Sequence, residues 1–502
     1  MQNSKDRDAG HPEEMIRDFG LLKATALNMS NMIGVGPFIT MNLLLLTMGG
    51  PQAMLGWIGG VLLAICDGMV WSELSAAMPG SGGTYVYLRE CFGRHRWGRL
   101  MAFMFIWQFM LSGPLEIASG AIGLSNYAVY PLIQMGWIED DARPAPPTGN
   151  AAADAAAAED PQPAAPRGWT QKKIAQRTIA IGTALIAMLL LYRRITAIGR
   201  LTLILWVAML ATVAFMIVSG LWNFDKSLIF PFPENAFHVD QKFVLGLGAA
   251  MGIAMYDYLG YYDVCYIGDE VGEPEKNIPR SVMISVIAVA AIYMTMNISF
   301  MGVLPWQEIM HSETVATDFV GKLYGPMAAN IITIFVALTA FASIFALFLG
   351  YSRIPYAAAR DGTFFSFFDH LHPEQKFPDR SLLVLGAVTM VASLWSLDAV
   401  ISAIIACRIL VQFLGQNVGL MYYRKMNPDR RMPFRMWLYP IPCWIAFAGW
   451  SFIFGTKLYD QWGKPLIQQE ALFGLLLTLL GVVVFLLWSA RTRKWPFGIE
   501  TA

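Results

Sequence analysis

Ionisable side chains stand inside apolar stretches of this chain at Asp67, Glu116, Asp257, Asp263 and Arg408. Taking a charge out of water into a membrane-like interior costs several kcal/mol unless the group is neutralised or finds a partner, so each is a candidate for ligand binding, proton carriage or a gating ion pair. Asp257 is the most suggestive. It lies within Tyr256-Asp257-Tyr258-Leu259-Gly260, a stretch that reads as an interruption of an apolar run. A carboxylate in such a break can hold an amine or carry a coupling proton; the plainer alternative is a bond to a neighbouring hydroxyl or amide that only serves stability. A second stretch with chemical potential is Met32-Ile33-Gly34-Val35-Gly36-Pro37-Phe38. Glycines and a proline at mid-depth are tolerated only where irregular backbone faces protein or a wet cavity. A freed helix start offers backbone donors and partial positive charge, which suits a carboxylate.

The elements that must position these residues are membrane helices. The chain is 56% hydrophobic and only 14% charged, with a mean hydropathy of +0.47, too apolar for a soluble protein of 502 residues. About twelve apolar segments are long enough to span, near 21–48, 52–78, 97–130, 172–192, 198–220, 243–268, 279–303, 326–354, 381–396, 398–423, 437–456 and 470–490. The first and sixth carry the two interruptions, and paired broken helices mark transporters built from inverted repeats, with the solute at the midplane. Residues 1–20 are polar and mixed in charge, and read as a cytoplasmic tail without a cleavable leader. With that end inside, about 25 Lys and Arg fall on the cytoplasmic side and about 10 outside. The loops at Arg89–Arg96, Tyr192-Arg193-Arg194 and Tyr423–Arg431 illustrate the bias. Both termini are therefore expected in the cytoplasm, with the protein in the inner membrane. The Ala- and Pro-rich stretch 139–169 reads as a bland external insertion.

Other chemistries find little support. The formal net charge is +0, which gives no hint of nucleic acid. Five cysteines, Cys66, Cys91, Cys265, Cys407 and Cys443, are scattered without metal-type spacing. Six histidines, His11, His95, His238, His311, His370 and His372, fall in tails or loops. No metal site, no cofactor motif and no enzymatic nucleophile–base pair is expected. Two broken helices fit alternating access better than a continuous channel.

Five motifs in register carry a family resemblance. Gly34-Val35-Gly36-Pro37-Phe38 resembles the glycine-rich first-helix motif of the amino acid–polyamine–organocation transporter superfamily. Trp71-Ser72-Glu73-Leu74-Ser75 with Pro79, Gly82, Gly83 and Tyr85-Val86-Tyr87 is similar to its second helix and following loop. Asp269-Glu270-Val271 with Pro274 and Asn277-Ile278-Pro279-Arg280 resembles the signature after its sixth helix. Ser352-Arg353-Ile354-Pro355-Tyr356 through Gly362 resembles the inner end of its eighth. Pro428, Arg431, Pro433-Phe434-Arg435 and Pro440 resemble the loop before its eleventh.

The resemblance implies an all-α integral membrane fold: a LeuT-like core of two inverted five-helix repeats over 21–424, discontinuous first and sixth helices, two peripheral helices over 425–490 and a cytoplasmic tail over 491–502. It implies substrate contacts at Ile33, Gly34, Val35 and Gly36 on the first break, at Tyr256, Asp257 and Tyr258 on the second, and at Glu116 on the third helix. Tyr256 takes the place of an aromatic gate. Val35 replaces the family's usual serine and Pro37 lacks an N–H, which weakens two contacts to a substrate carboxylate and is similar to polyamine-uptake members. Pro37 is equally at home as a first helical residue. Arg408 on the tenth helix is expected to pair with Glu116, while Asp263 and Ser343 are assigned to gating or coupling. No lysine occurs between Leu201 and Val218, where proton-coupled relatives place one, so Asp257, Glu116 or Asp263 would substitute. Ser343 could instead fit a sodium site. The reading is a secondary transporter that moves an amino acid, by proton coupling or exchange. Polyamine or cationic-amine uptake is the alternative, and a non-transporting nutrient sensor on the same fold the second.

Overall fold

The computed structural model describes residues 20–34, 36–80, 82–94, 96–139, 170–192, 198–229, 231–374, 377–430, 432–465 and 469–497, with 198–206 described by backbone alone. Val35, the tail 1–19, the insertion over 140–169, Arg193, Arg194, Arg431 and the end 498–502 lie outside the described residues.

Every apolar segment expected above carries helix. In chain order the helices are α1 (Leu21–Met32), α2 (Gly36–Ile39), α3 (Met41–Met48), α4 (Met54–Ala77), α5 (Thr84–Cys91), α6 (Trp97–Gln134), α7 (Gln171–Leu191), α8 (Ile198–Trp222), α9 (Gln241–Tyr258) and α10 (Pro274–Met301). They continue with α11 (Trp306–His311), α12 (Val315–Tyr324), α13 (Pro326–Tyr351), α14 (Arg353–Arg360), α15 (Asp379–Ala392), α16 (Leu397–Arg408), α17 (Gln416–Met426), α18 (Ile441–Asp460) and α19 (Glu470–Thr492). A π-helical stretch, Ile409–Gly415, joins α16 to α17 directly after Arg408. Among the described residues eight helices are long and apolar enough to cross a membrane alone. A further pair, Leu21–Ile39 and Met41–Met48, passes the same test together and is bent by 59°. The shorter members have local causes: α9 is ended by a glycine turn, and α15 has 14 residues, which at 1.5 Å each reach about 21 Å.

Starts and stops follow side-chain chemistry. Asp240 caps α9 by accepting the Phe243 N–H at 2.8 Å, and Thr170 caps α7 through Lys173 N–H at 3.3 Å. Proline opens α10 and α13, where its missing N–H costs nothing.

Packing is set by small residues. Gly56 and Gly60 stand four apart on one face of α4, opposite Ala250 and Ala254, four apart on α9. A Cβ added at Gly56 would lie 2.5 Å from Ala250 Cβ, and one at Gly60 would lie 3.0 Å from Ala254 Cβ. Such small-residue stripes let two membrane helices approach with backbones close, gaining dispersion contacts that apolar lipid cannot match. α4 also packs on α10 and α18, while α6 packs on α7, α13 and α16.

Both breaks exist, and the second differs from the expectation. α1 ends as the Ile33 N–H reaches Met29 O at 2.8 Å, and helix resumes at Gly36. On the other side α9 stays helical through Tyr258. Unwinding begins at Leu259, not at Tyr256, because the residue that needs the unusual backbone is Gly260, at φ +106. A Cβ there would also sit 3.2 Å from Met32 N, so the two breaks touch at a point only glycine fits. After the turn, a short 3₁₀ helix runs over Asp263–Tyr266. Asn28 of α1 holds it, accepting from Val264 N–H at 2.9 Å while donating to Ser285 Oγ at 3.4 Å.

Candidate functional site

Between the breaks lies a cavity of about 30 Å³, bordered by Gly34, Gly36, Glu116, Tyr256, Asp257 and Ser343 among others. That volume suits a water molecule or two, not a solute of amino-acid size. Asp257 is 2% exposed. Its Oδ2 lies 2.6 Å from Thr40 Oγ1, and the same hydroxyl reaches Gly36 O at 3.0 Å. Oδ1 has no hydrogen-bond partner and points at Gly36, where an added Cβ would collide with it. No ion pair reaches Asp257 among the described residues. The first break thus carries a glycine where the second places its carboxylate.

Tyr256 donates to or accepts from Ser119 Oγ at 2.7 Å, which joins the end of α9 to α6 over the cavity. Tyr258 lies elsewhere. Its ring packs edge-on against Trp57, centroids 5.4 Å apart, and its hydroxyl has no partner. Two residues on a helix point about 200° apart, so once α9 remains helical through Tyr258, Tyr256 and Tyr258 cannot face one cavity. The structure thus places Tyr258 against Trp57 and not among the residues bordering the cavity. Ile33 is fully buried in the apolar core, and Val35 is not described.

Glu116 and Arg408 meet as expected. Arg408 Nη2 donates to Glu116 Oε2 at 2.5 Å, and Tyr351 OH donates to the same oxygen at 2.6 Å. The remaining guanidinium donors reach Ser112 Oγ at 3.3 Å and Tyr262 OH at 3.1 Å. Arg408 is 1% exposed, so each hydrogen bond replaces water that this group cannot keep. Asp263 accepts from Asn31 Nδ2 at 2.5 Å, and its Oδ1 has no partner. Asp67 accepts from Tyr261, from Trp71 Nε1 at 3.0 Å and from Trp450 Nε1 at 3.3 Å, which makes it a packing hub. Ser343 faces the first break: a Cβ at Gly34 would lie 2.8 Å from Ser343 Oγ.

Several residues that sequence reasoning passed over complete the site. The Tyr293 hydroxyl of α10 donates to Met32 O at the end of α1 and lies 3.4 Å from Asp257 O, so one side chain touches the carbonyls of both breaks. Thr40, Asn28, Asn31 and Tyr351 are polar residues in apolar segments, and that was the available signal. Among the described residues no group of three or more His, Cys, Asp or Glu is placed to hold a metal ion.

A small cavity between two interrupted helices, bordered by a carboxylate with no ion pair among the described residues, is compatible with a carrier of small solutes. The sequence model described as "Amino acid permease" matches residues 19–485. The chain belongs to the amino acid permease family. It is a multi-pass membrane transporter and not an enzyme. The permease is similar to the human cystine/glutamate transporter, 26% identical over 491 residues that cover 96% of this chain and 87% of the relative. It is also similar to the human large neutral amino acids transporter small subunit 2, at 26% over 497 residues covering 96% and 83%. The serine/threonine exchanger SteT of Bacillus subtilis (strain 168) matches at 24% over 448 residues, covering 88% and 91%.

The permease's remaining motif residues form contacts at the face opposite the α6–α7 connection. Glu73, fully buried, accepts Arg424 Nε at 2.5 Å and Nη2 at 2.6 Å, and also the Met436 N–H at 2.8 Å. Arg424 lies over the Tyr439 ring at 3.8 Å. Arg89 pairs with Asp361 at 3.1 Å, and Tyr85 OH joins them, 2.9 Å from Asp361. These are bonds between helix ends, at a distance from the cavity.

Proposed function

We propose that this permease carries an amino acid across the membrane by alternating access, holding it between the breaks of α1 and α9, with Asp257 taking up and releasing the coupling proton. One observation carries the reading: Asp257 faces the cavity with one oxygen unpartnered and no cation beside it. Thr40 has a single proton and two acceptors within reach, Gly36 O and Asp257 Oδ2. A proton on Asp257 completes the set, since the carboxyl then donates to Thr40 and Thr40 to Gly36. Removing that proton forces Thr40 to share its own, which links protonation to the geometry where helix resumes at Gly36. Backbone near Gly34 and Gly36 suits the substrate carboxylate.

An amino acid is favoured over a polyamine because the relatives are named for amino acids and because Arg408 already takes the charge of Glu116. Polyamine or cationic-amine uptake keeps one point in its favour, two carboxylates bordering one cavity. The same reading takes 21–424 as the moving core of two inverted repeats, 425–490 as peripheral, and both termini as cytoplasmic on the charge bias of the loops.

The test is uptake of labelled leucine, arginine and putrescine into proteoliposomes, with and without an inward proton gradient, for the parent and Asp257→Asn. Gradient-driven accumulation of an amino acid that the variant loses, while exchange across the membrane persists, is the expected result. Loss of exchange as well would make Asp257 a substrate ligand. Uptake of putrescine alone would support the amine reading, and binding without any flux a sensor.

A further inference from the structure

We propose that a second cavity, on the face bearing the α6–α7 connection, is a staging site where a zwitterionic amino acid docks before it enters the central one; the inference rests on the transport reading above. This cavity measures about 300 Å³ and is bordered by Ile39, Lys173, Arg177, Glu313, Trp395 and Asp398 among others. It is of ligand size, at the lower end of the range for small-molecule pockets, whereas the central cavity holds about 30 Å³.

The two cavities are neighbours along the same helices. Gly36 borders the central one and Ile39 the outer one; on α6, Gly120 borders the central one and Ile122 the outer. Two or three residues at 1.5 Å each make about 3 to 5 Å, one helical turn or less. The Tyr256–Ser119 bond belongs to the central cavity, which Tyr256 borders, Ser119 preceding Gly120 on α6.

Its walls carry both signs of charge, as an amino acid does. Lys173 and Arg177 stand in the first two turns of α7, whose exposed N–H groups and dipole add to the positive end. Glu313 is held by Lys172 Nζ at 3.3 Å and Gln176 Nε2 at 3.1 Å. Asp398, exposed in the first turn of α16, makes no ion pair among the described residues. A carboxylate directed to Lys173 and Arg177 and an ammonium to Asp398 give two-point docking, with Trp395 as an apolar wall. Because Lys173 and Asp398 are exposed, the site contributes capture and orientation more than affinity.

The test is the full-length permease in proteoliposomes, measuring the KM for labelled leucine from each face in turn, for Lys173→Gln, Asp398→Asn and the charge-preserving Lys173→Arg. Neutralising either charge is expected to raise KM from one face by about threefold to tenfold, with Vmax and the KM from the other face unchanged, and Lys173→Arg is expected to behave like the parent. Unchanged KM in a working transporter, or an equal rise from both faces, overturns the staging site. A parent protein that moves no amino acid overturns the transport reading beneath it instead.

Discussion

Glu116 and Arg408, 292 positions apart, share one carboxylate oxygen with Tyr351, the arginine at 2.5 Å and the tyrosine at 2.6 Å. Removing one partner of a buried pair leaves the other uncompensated, at about 3 to 5 kcal/mol, whereas removing both is often nearly neutral. Arg408→Met is therefore expected to lower the unfolding temperature in detergent sharply, and Glu116→Gln combined with Arg408→Met to recover most of it. A double variant as unstable as the single one would show that the guanidinium's bonds to Ser112 and Tyr262, not the charge pair, carry the effect.

Gly34→Ala is expected to impair transport, because the new Cβ meets Ser343 Oγ at 2.8 Å. Ser343→Ala removes that atom and leaves Cβ at 3.4 Å, ordinary contact. Uptake rates should thus recover in the double variant. If Gly34→Ala/Ser343→Ala is as slow as Gly34→Ala alone, backbone freedom at Gly34 is the requirement and not space.

Tyr293→Phe keeps the ring contacts with Trp57 at 5.2 Å and Tyr258 at 5.8 Å but deprives the Met32 and Asp257 carbonyls of a donor. A lost hydrogen bond of this kind is worth about 1 to 2 kcal/mol, or roughly tenfold in a rate. The expected outcome is a Vmax lowered by about that factor with the protein still folded. A Vmax equal to the parent's would make the hydroxyl incidental.

Arg424→Lys keeps the charge but cannot reproduce the two-pronged bond to Glu73 at 2.5 and 2.6 Å. Planar guanidinium geometry also suits the stack on Tyr439. Thermal unfolding should place Arg424→Lys between the parent and Arg424→Gln, about 1 to 2 kcal/mol below the parent. Lysine performing as well as arginine would mean that charge alone closes this end.

The positions of the helices were readable from length and hydropathy, since a membrane span leaves few alternatives. The first break was readable from Gly34, Gly36 and Pro37, whose backbone preferences are local. The Glu116–Arg408 contact was readable too, because an unpaired arginine in an apolar helix is so costly that a partner had to exist. The second break was placed one turn early, since tyrosine and aspartate do not themselves stop a helix and only Gly260 does. That shift carried Tyr258 onto the wrong face. Thr40, Asn28 and Tyr293 escaped notice because a hydroxyl or amide in a membrane helix can bond its own backbone, and only the fold tells which ones reach across.

The seam of Gly56 and Gly60 against Ala250 and Ala254 has no clearance. A joint without play transmits torque, so in the alternating-access cycle proposed above α4 would travel with α9 as one lever. Asp257 lies on α9 and Glu116 on α6, which packs on α7, α13 and α16. If the cycle moves the one helix against the other, the gap between these two carboxylates is its dial, and spin labels set beside them would read its position at each stage.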